Sequence, residues 1–209
     1  IAPAVDLQAF EPAPAPESGP FLVVYAGTTG MAQGVGTLFD AVEALARDSA
    51  VEVIVAGDGA EGSELRARAE RLTKARTVSA VPHARVPELL AQANAAAVLL
   101  RDRPLFAGAM PTKMLEAMAA ARPVVLSAGG EAARFVDASG GGVVVPPEDP
   151  AALAGALEQL AADRERAVSL GKAGRRWVEA GFGLDRFVED WHETLQAAVR
   201  APDGPADRL

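Results

Sequence analysis

The chain has 209 residues, half of them hydrophobic, which is enough for one large domain or two small ones with a sizeable core. Its net charge of −8 argues against nucleic acid as a partner, because no basic stripe is present to neutralise phosphates in bulk. Cysteine is absent and the two histidines lie far apart, which excludes disulfides and thiol chemistry and predicts no metal site.

The first 20 residues are expected to connect domains. The opening Ala-Pro-Ala-Val-Asp-Leu-Gln-Ala-Phe follows an isoleucine and is typical of the interior of a longer protein, so we expect a fragment. Residues 11–20 are rich in Pro, Ala and Glu and predict a linker. The predicted organisation is an interdomain segment and linker over 1–20, one domain over 21–183, an amphipathic helix over 184–200 and a disordered tail over 201–209.

Six apolar runs alternate with helical patterns between residues 21 and 163. The runs predict strands at 21–26, 51–56, 77–79, 95–100, 124–126 and 143–145. Helices are predicted at 38–46, 60–72, 86–93, from 111 to before 123, and at 131–137, 150–163, 164–179 and 184–200. This alternation predicts an α/β fold, a doubly wound, Rossmann-like parallel sheet of about six strands with extra C-terminal helices.

Ligands of such sheets bind outside the carboxyl ends of the strands, where the strand order reverses. The loops that begin at Gly27 and Gly57, the loop around His83, the segment 101–113 and the turn at Gly129 all follow predicted strands. We therefore expect these loops to lie together at one rim of the sheet.

The stretch 110–126 contains one helix with an unusual first turn. Pro111 suits the first helical position, and Pro123 ends the helix before a buried strand. Lys113 would lie at the positive end of the helix dipole, where a cation costs roughly a few tenths of a kcal/mol. A bound anion would reverse that cost, and Glu116 shares a face with Lys113. Two interpretations stay open: an anion site beside a carboxylate that accepts hydroxyl hydrogen bonds, and a surface Lys–Glu pair.

The loop Gly27-Thr28-Thr29-Gly30-Met31-Ala32-Gln33-Gly34 offers amides and two hydroxyls directly after a strand, as phosphate-binding loops do. It matches neither the dinucleotide-binding fingerprint nor a Walker loop, and a tight turn without a ligand is the alternative. Asp58 contacts a ribose or caps a helix, and His83 packs near a base or is solvated. Residues 101–103 (Arg-Asp-Arg) reach an anion or are surface charge. No paired carboxylates, Ser-His-Asp set or metal cluster emerges.

In this order, the motifs resemble the C-terminal, donor-binding domain of the retaining glycosyltransferases of family 4 (group 1), which have the GT-B fold. The resemblance runs from residue 1 to 191 and rests on residues 4–10, 25–34, 56–59, 116–125 and 142–150. It implies that Glu116 is the second of two family glutamates and holds the ribose of a nucleotide sugar. The first glutamate, which touches the donor sugar, falls at Gly108, and the family's diphosphate-binding Arg and Lys fall at Thr28 and Gln33.

A branch that resembles acetamido-sugar transferases of O-antigen and capsule synthesis has Gly-x-x-Gly-x-x-Gln-Gly and Pro-Ser/Thr-Lys instead, and this chain matches both motifs. That match implies that Lys113 supplies the diphosphate cation. The expected catalytic residues are Glu116 and Lys113. The expected donor contacts are a diphosphate site of Gly27, Thr28, Thr29, Gly30, Gln33, Gly34, Met110, Pro111, Thr112 and Lys113, a ribose and base site of Glu116, Leu115, His83 and Asp58, and a donor-sugar site of Gly108 and Glu131.

The resemblance implies a hexosyltransferase that moves a sugar, of the N-acetylated hexosamine type, from a UDP-linked donor to a glycan or lipid-linked acceptor without a cofactor. It also implies an N-terminal acceptor domain in the same protein and peripheral association through it with the inner face of the plasma membrane. We expect this fragment alone to bind nucleotide without transfer. Alternatives are a non-catalytic nucleotide-responsive or interaction module, favoured by Gly108, and a nucleotide-sugar epimerase.

No apolar run approaches the roughly 18 residues of a membrane span, and no signal peptide is visible. We therefore expect a soluble, cytoplasmic protein.

Overall fold

The computed structural model describes residues 3–200, apart from the side chain of residue 200. The disordered tail predicted over 201–209 and the first two residues lie outside the described residues. Six strands form one parallel sheet in the order β3-β2-β1-β4-β5-β6, which confirms the predicted doubly wound architecture. The strands are β1 (Phe21–Ala26), β2 (Val51–Ala56), β3 (Ala75–Val78), β4 (Ala95–Leu99), β5 (Val124–Ser127) and β6 (Gly142–Val145).

The helices agree with their predicted positions within a few residues. They are α1 (Gly36–Ala44), α2 (Gly62–Ala69), α3 (Val86–Ala91), α4 (Thr112–Ala119), α5 (Gly130–Ser139), α6 (Pro150–Ala162), α7 (Arg164–Gly181) and α8 (Leu184–Arg200), with short 3-10 turns at His83–Arg85 and Pro104–Phe106. Pro111 precedes the first helical residue of α4 and has an extended ψ of 120°, so the prediction of Pro111 at the first helical position was wrong by one residue. Lys113 still lies in the first turn.

The sheet is covered by apolar side chains on both faces, which explains why its strands are almost continuously hydrophobic. On one face α1 and α6 pack together, and on the other α4 packs against α7. The two edge strands, β3 and β6, are only partly buried. The bounds of β3 follow the pairing of Ala75 with Val53 rather than an apolar run. None of the described helices is long and apolar enough to cross a membrane.

Part of the predicted interdomain segment packs into this domain. Phe10 is fully buried in the layer under α4 and α7, and Val5 pairs with Gly183 in an isolated bridge. The guanidinium of Arg175 donates to the carbonyls of Leu7 and Phe10 at 3.3 and 3.0 Å. Residues 5–10 are therefore held by the domain that follows them.

Candidate functional site

A cleft of about 640 Å³ lies at the carboxyl ends of the strands, between the loop after β1 and the start of α4. The strand order reverses between β1 and β4, so the cleft occupies the position at which doubly wound sheets bind their ligands. Ten of the residues predicted for the site line this cleft. They are Gly27, Thr28, Gln33, Asp58, His83, Met110, Pro111, Thr112, Lys113 and Glu116.

Lys113 reaches across the cleft to β1. Its Nζ donates a hydrogen bond to the hydroxyl of Tyr25 at 3.0 Å and lies 4.2 Å from the centre of the Tyr25 ring. The Tyr25 hydroxyl in turn donates to the carbonyl of Thr28. Burial raises the pKa of Tyr25, so this hydroxyl stays protonated and holds the lysine in place.

The positive charge of the Lys113 ammonium group is only partly balanced by nearby negative charge. Burial lowers the pKa of Lys113 to about 8, and the charge of Glu116 opposes that shift only in part. Among the described residues, no carboxylate oxygen lies within 4 Å of its Nζ. The predicted alternative of a direct surface Lys–Glu pair is therefore wrong, because the lysine turns toward Tyr25. A partly desolvated cation in this state is stabilised by an anion in the cleft.

The absence of a side chain at Gly27 brings the β1 loop and α4 together. A Cβ at this position would lie only 2.7 Å from the Nζ of Lys113, and the φ of +136° is one that side chains rarely adopt. The lysine ammonium therefore lies directly against the glycine loop, as the anion-site interpretation requires.

Several residues that line the cleft have a backbone amide without an acceptor among the described residues. Within residues 3–200 no hydrogen bond is made by the amides of Thr112 and Lys113, which open α4, or by that of Thr28. The amides of Gly27 and Thr29 instead hold the loop in shape, by donating to the carbonyls of Ala56 and Asp58 at 2.9 and 3.0 Å. The amides at the start of α4 and that of Thr28 are therefore among the donors left for an anion.

Glu116 lies on the same wall, one turn after Lys113. Its Oε1 is 2.9 Å from Nε2 of His83, and its side chain is 17% exposed whereas that of His83 is 72% exposed. The His83 ring packs against Phe10 at a centroid distance of 5.7 Å. This contact fixes a carboxylate at the edge of the cleft, where it can accept hydrogen bonds from ligand hydroxyls.

Arg101 braces the glycine loop, a function that was not predicted. Its Nε donates to the carbonyl of Met31 at 2.6 Å, and its other nitrogens pair with Glu61 at 2.9 Å and Glu148 at 3.4 Å. Arg101 lies outside the cleft lining and pairs with these two carboxylates, which argues against the predicted anion contact and agrees with the alternative of surface charge. Tyr25 was also missed, and the one signal for it was a polar aromatic residue in an otherwise apolar strand.

Asp58 lines the cleft but does not cap α2. Its Oδ1 accepts a hydrogen bond from the amide of Gly59 at 2.8 Å, and Glu61 precedes the helix without a side-chain cap. The capping interpretation of Asp58 was therefore wrong, because two glycine-turn residues separate it from the position where a cap would act. Its carboxylate is largely exposed and lies 3.7 Å from Nη1 of Arg66.

Leu115 and Thr29 do not line the cleft. Leu115 is fully buried beneath α4, because two residues after Lys113 a helix presents nearly its opposite face. Thr29 is 1% exposed under the loop. Gly30 and Gly34 shape the loop but lie outside the cleft lining, and a Cβ at Gly34 would meet the Arg101 side chain at 2.9 Å.

The two residues predicted for the donor sugar also lie outside the cleft lining. Glu131, in the first turn of α5, pairs with Arg134, and its amide donates to the carbonyl of Ala107 at 2.8 Å. A Cβ at Gly108 would meet no heavy atom within 4 Å. The donor-sugar assignments of both residues stay predictions.

The chain is similar in sequence to proteins that transfer sugars. A model of the family described as "Glycosyl transferases group 1" matches residues 20–163. D-inositol 3-phosphate glycosyltransferase 1 of Catenulispora acidiphila is 29% identical over 222 residues, which cover 98% of this chain and 52% of that protein. A GDP-mannose-dependent alpha-(1-6)-phosphatidylinositol monomannoside mannosyltransferase of Mycobacterium tuberculosis is 39% identical over 74 residues, 35% of this chain and 19% of its own.

The fold is similar to that of the solved structure of HepE of Anabaena in complex with UDP. The TM-score is 0.77 at 18% sequence identity, over 93% of this chain and 56% of that one. HepE has also been solved with UDP-glucose. The chain thus spans about half the length of the proteins it matches most completely, and its sheet and helices correspond to one half of a GT-B fold.

Proposed function

The chain belongs to the group 1 glycosyl transferases, and from this premise we propose that it is the donor-binding half of an enzyme that transfers a sugar from a nucleoside diphosphate sugar. One observation carries the proposal. The ammonium of Lys113 is partly buried, has no carboxylate within 4 Å among the described residues, and lies against Gly27 at the point where the strand order reverses.

The linked phosphates of the donor bind between α4 and the β1 loop. Lys113 supplies the positive charge, and the amides of Thr112, Lys113 and Thr28 donate hydrogen bonds. When the bond from the sugar to the diphosphate breaks, negative charge develops on the leaving phosphate. Donors that are already oriented toward that charge typically contribute about 3 kcal/mol each to the rate. Lys113 is therefore the residue proposed to stabilise the leaving group.

The ribose of the nucleotide binds at Glu116. A carboxylate accepts hydrogen bonds from two vicinal hydroxyls, and the contact with His83 keeps one oxygen of Glu116 in a fixed position. The base then lies toward His83 and Asp58, which also line the cleft. UDP is the proposed nucleotide, because the structural relative HepE binds it. GDP is its rival, because the mycobacterial relative is named for GDP-mannose.

The transferred sugar and the acceptor complete the proposal. The motif Pro111-Thr112-Lys113 resembles that of acetamido-sugar transferases, so the proposed sugar is of the N-acetylated hexosamine type. The acceptor, a glycan or a lipid-linked one, binds a further N-terminal domain, since the relatives matched over most of this chain are about twice as long. The chain by itself is proposed to bind the donor without transfer.

Calorimetric titration of UDP, GDP and UDP-N-acetylglucosamine into the chain tests this proposal. We expect UDP to bind, and Lys113→Ala to weaken that binding by about a hundredfold, the usual value of one strong contact to a developing or bound charge. Arg71→Ala is the control, since Arg71 is an exposed cation after α2 that lies outside the cleft. Absence of heat with every nucleoside diphosphate, while circular dichroism shows a folded chain, would overturn the proposal.

A non-catalytic nucleotide-responsive module is the second candidate function. Gly108 favours it, because the family glutamate that touches the donor sugar is missing there although a side chain would meet no obstacle. A transferase turns over its donor, whereas a non-catalytic module only binds it. Slow hydrolysis of a donor by the full-length protein, or transfer to an acceptor, would dismiss the second candidate, whereas tight donor binding with no release of free nucleotide would favour it.

A further inference from the structure

A second, larger cavity of about 1030 Å³ lies at the opposite edge of the sheet from the donor cleft. It is bordered by Phe21 at the start of β1, by Asn94 just before β4 and by Arg122 just before β5. The linker residues 12–17 form one wall, and α7 forms the other. The cavity is therefore separate from the donor cleft, which lies at the carboxyl ends of the same strands.

The side chains that line this cavity carry a net positive charge, whereas the whole chain is negatively charged. Two carboxylates, Glu17 and Glu165, face five cationic side chains, whereas the whole chain carries −8. The cations are Arg122, Arg164, Lys172, Arg175 and Arg176. Within the described part of the chain, Arg175 alone among these five has a carboxylate oxygen within 4 Å, that of Glu179 at 2.6 Å. The other four cations have no carboxylate oxygen of a described residue within 4 Å.

Arg122 shows that the charge is built into the fold. It is 2% exposed, and its Nε and Nη2 donate to the carbonyls of Leu90, Ala13 and Ala91 at 2.8, 2.9 and 3.0 Å. Neutral carbonyls satisfy the hydrogen bonds of a guanidinium but leave its net charge, which is costly to bury without a counter-ion. An anion in the cavity would supply that counter-ion.

We propose that this cavity binds a phosphorylated small molecule. Arginine presents a planar fork of donors that matches the oxygens of a phosphate. The guanidinium groups of Arg122 and Arg164 already donate to backbone carbonyls and supply mainly charge, so Arg176 and Lys172 are the lining cations whose donors are left for a phosphate. Apolar lining residues such as Phe21 and Val168 leave room for a body attached to the phosphate. The volume is at the upper end of the range of about 300–1,000 Å³ that small-molecule sites occupy.

Calorimetric titration with inorganic pyrophosphate tests the proposal, in the Lys113→Ala background so that the donor cleft does not contribute. We expect one bound pyrophosphate, and the double variant Lys172→Gln/Arg176→Gln should weaken it by about tenfold or more. Both side chains are exposed and form no ion pair within 4 Å with a described residue, so their loss spares the fold. Arg122 is unsuitable because its carbonyl contacts are structural.

The matched control is Arg47→Gln/Arg71→Gln, which removes the same charge from exposed positions outside the cavity and should change the affinity by less than about twofold. An equal loss in this control, no pyrophosphate binding, or tighter binding of a hexa-aspartate peptide would each overturn the proposal. Vesicles that contain phosphatidic acid distinguish a lipid phosphate, if they sediment the chain, from a free one. With Lys113 intact, UDP binding should survive Lys172→Gln/Arg176→Gln, which separates this test from that of the donor cleft.

Discussion

Raising the pH from about 7 to about 9 should weaken nucleoside diphosphate binding by removing the charge of Lys113. Burial lowers the pKa of this lysine to about 8, whereas an ordinary lysine stays protonated throughout that range. The Tyr25 hydroxyl, whose pKa is raised by burial, keeps its proton, and the terminal phosphate of the nucleotide is already ionised, since its pKa is about 6.

The size of the effect follows from the protonated fraction. With a pKa of about 8, the ammonium is present in about nine-tenths of the molecules at pH 7 and in about one-tenth at pH 9. If the complex requires the ammonium, the apparent affinity falls about tenfold, which corresponds to about 1.4 kcal/mol. A lysine with its ordinary pKa would lose almost nothing over the same interval.

The stability of the unliganded chain should change in the opposite direction. The pKa of Lys113 is lower in the folded chain than in the unfolded one, so between about pH 8 and 10.5 the unfolded chain binds more protons. The cost of burying the ammonium is complete below pH 8 and is relieved as the pH rises through this window. Binding thus weakens while folding strengthens, which separates the two effects.

Calorimetry at pH 7, 8 and 9, in buffers of different ionisation enthalpy, measures both the affinity and the protons taken up on binding. We expect proton uptake to approach one per UDP at pH 9, because binding restores the charge of Lys113. The Lys113→Met variant should bind weakly at every pH and take up no proton. A constant affinity of the unmodified chain, or an equal decline in Lys113→Met, would refute the reasoning.

Three further substitutions separate binding, stability and ribose recognition. Lys113→Met should stabilise the unliganded chain at pH 7 by up to about 3 kcal/mol in urea denaturation, because it removes a partly buried charge; a loss of stability would contradict this. Gly27→Ala should weaken UDP binding by about tenfold or more in calorimetry and destabilise the fold by about 1 kcal/mol, since the new Cβ displaces the Lys113 ammonium and the φ is positive. Glu116→Gln should weaken UDP by about tenfold, the value of a hydrogen bond to a charged group, but leave pyrophosphate binding unchanged; equal losses for both ligands would place Glu116 at the phosphates.

The parts of the fold that sequence predicted well are those whose pattern is local. Four of the six strands are largely buried apolar runs that end at a loop, and a parallel sheet covered on both faces requires such runs. The edge strand β3 was displaced by about two residues, because its bounds depend on pairing with β2 rather than on its own side chains. The unusual position of Lys113 could also be recognised from the local sequence, since a cation in the first turn of a helix is unfavourable to the helix dipole whatever surrounds it.

The contacts that complete the site are not local. Lys113 meets Tyr25 from 88 positions away, and Arg101 meets Met31 from 70 positions away. The sequence places Tyr25 near the end of a predicted strand and Arg101 directly after another. It does not show which of several possible hydrogen-bond acceptors or carboxylates each side chain contacts. The choice among these partners is made by strand order and loop shape, which no short pattern encodes. The desolvation that lowers the pKa of Lys113 likewise depends on contacts between residues that are distant in the sequence.

The two ends of α4 explain how the helix tolerates Lys113. At its carboxyl end, Nη1 of Arg175 donates to the carbonyl of Ala119 at 2.7 Å, and the amide of Arg122 donates to that of Ala117 at 2.9 Å. A cation at this end stabilises a helix by about 0.3–1 kcal/mol, which is similar to the cost of a cation at the opposite end. The arginine therefore offsets the lysine across one short helix. The unfavourable placement of Lys113 is thus compensated within the same helix. This is the pattern expected where a residue serves ligand binding rather than the stability of the fold.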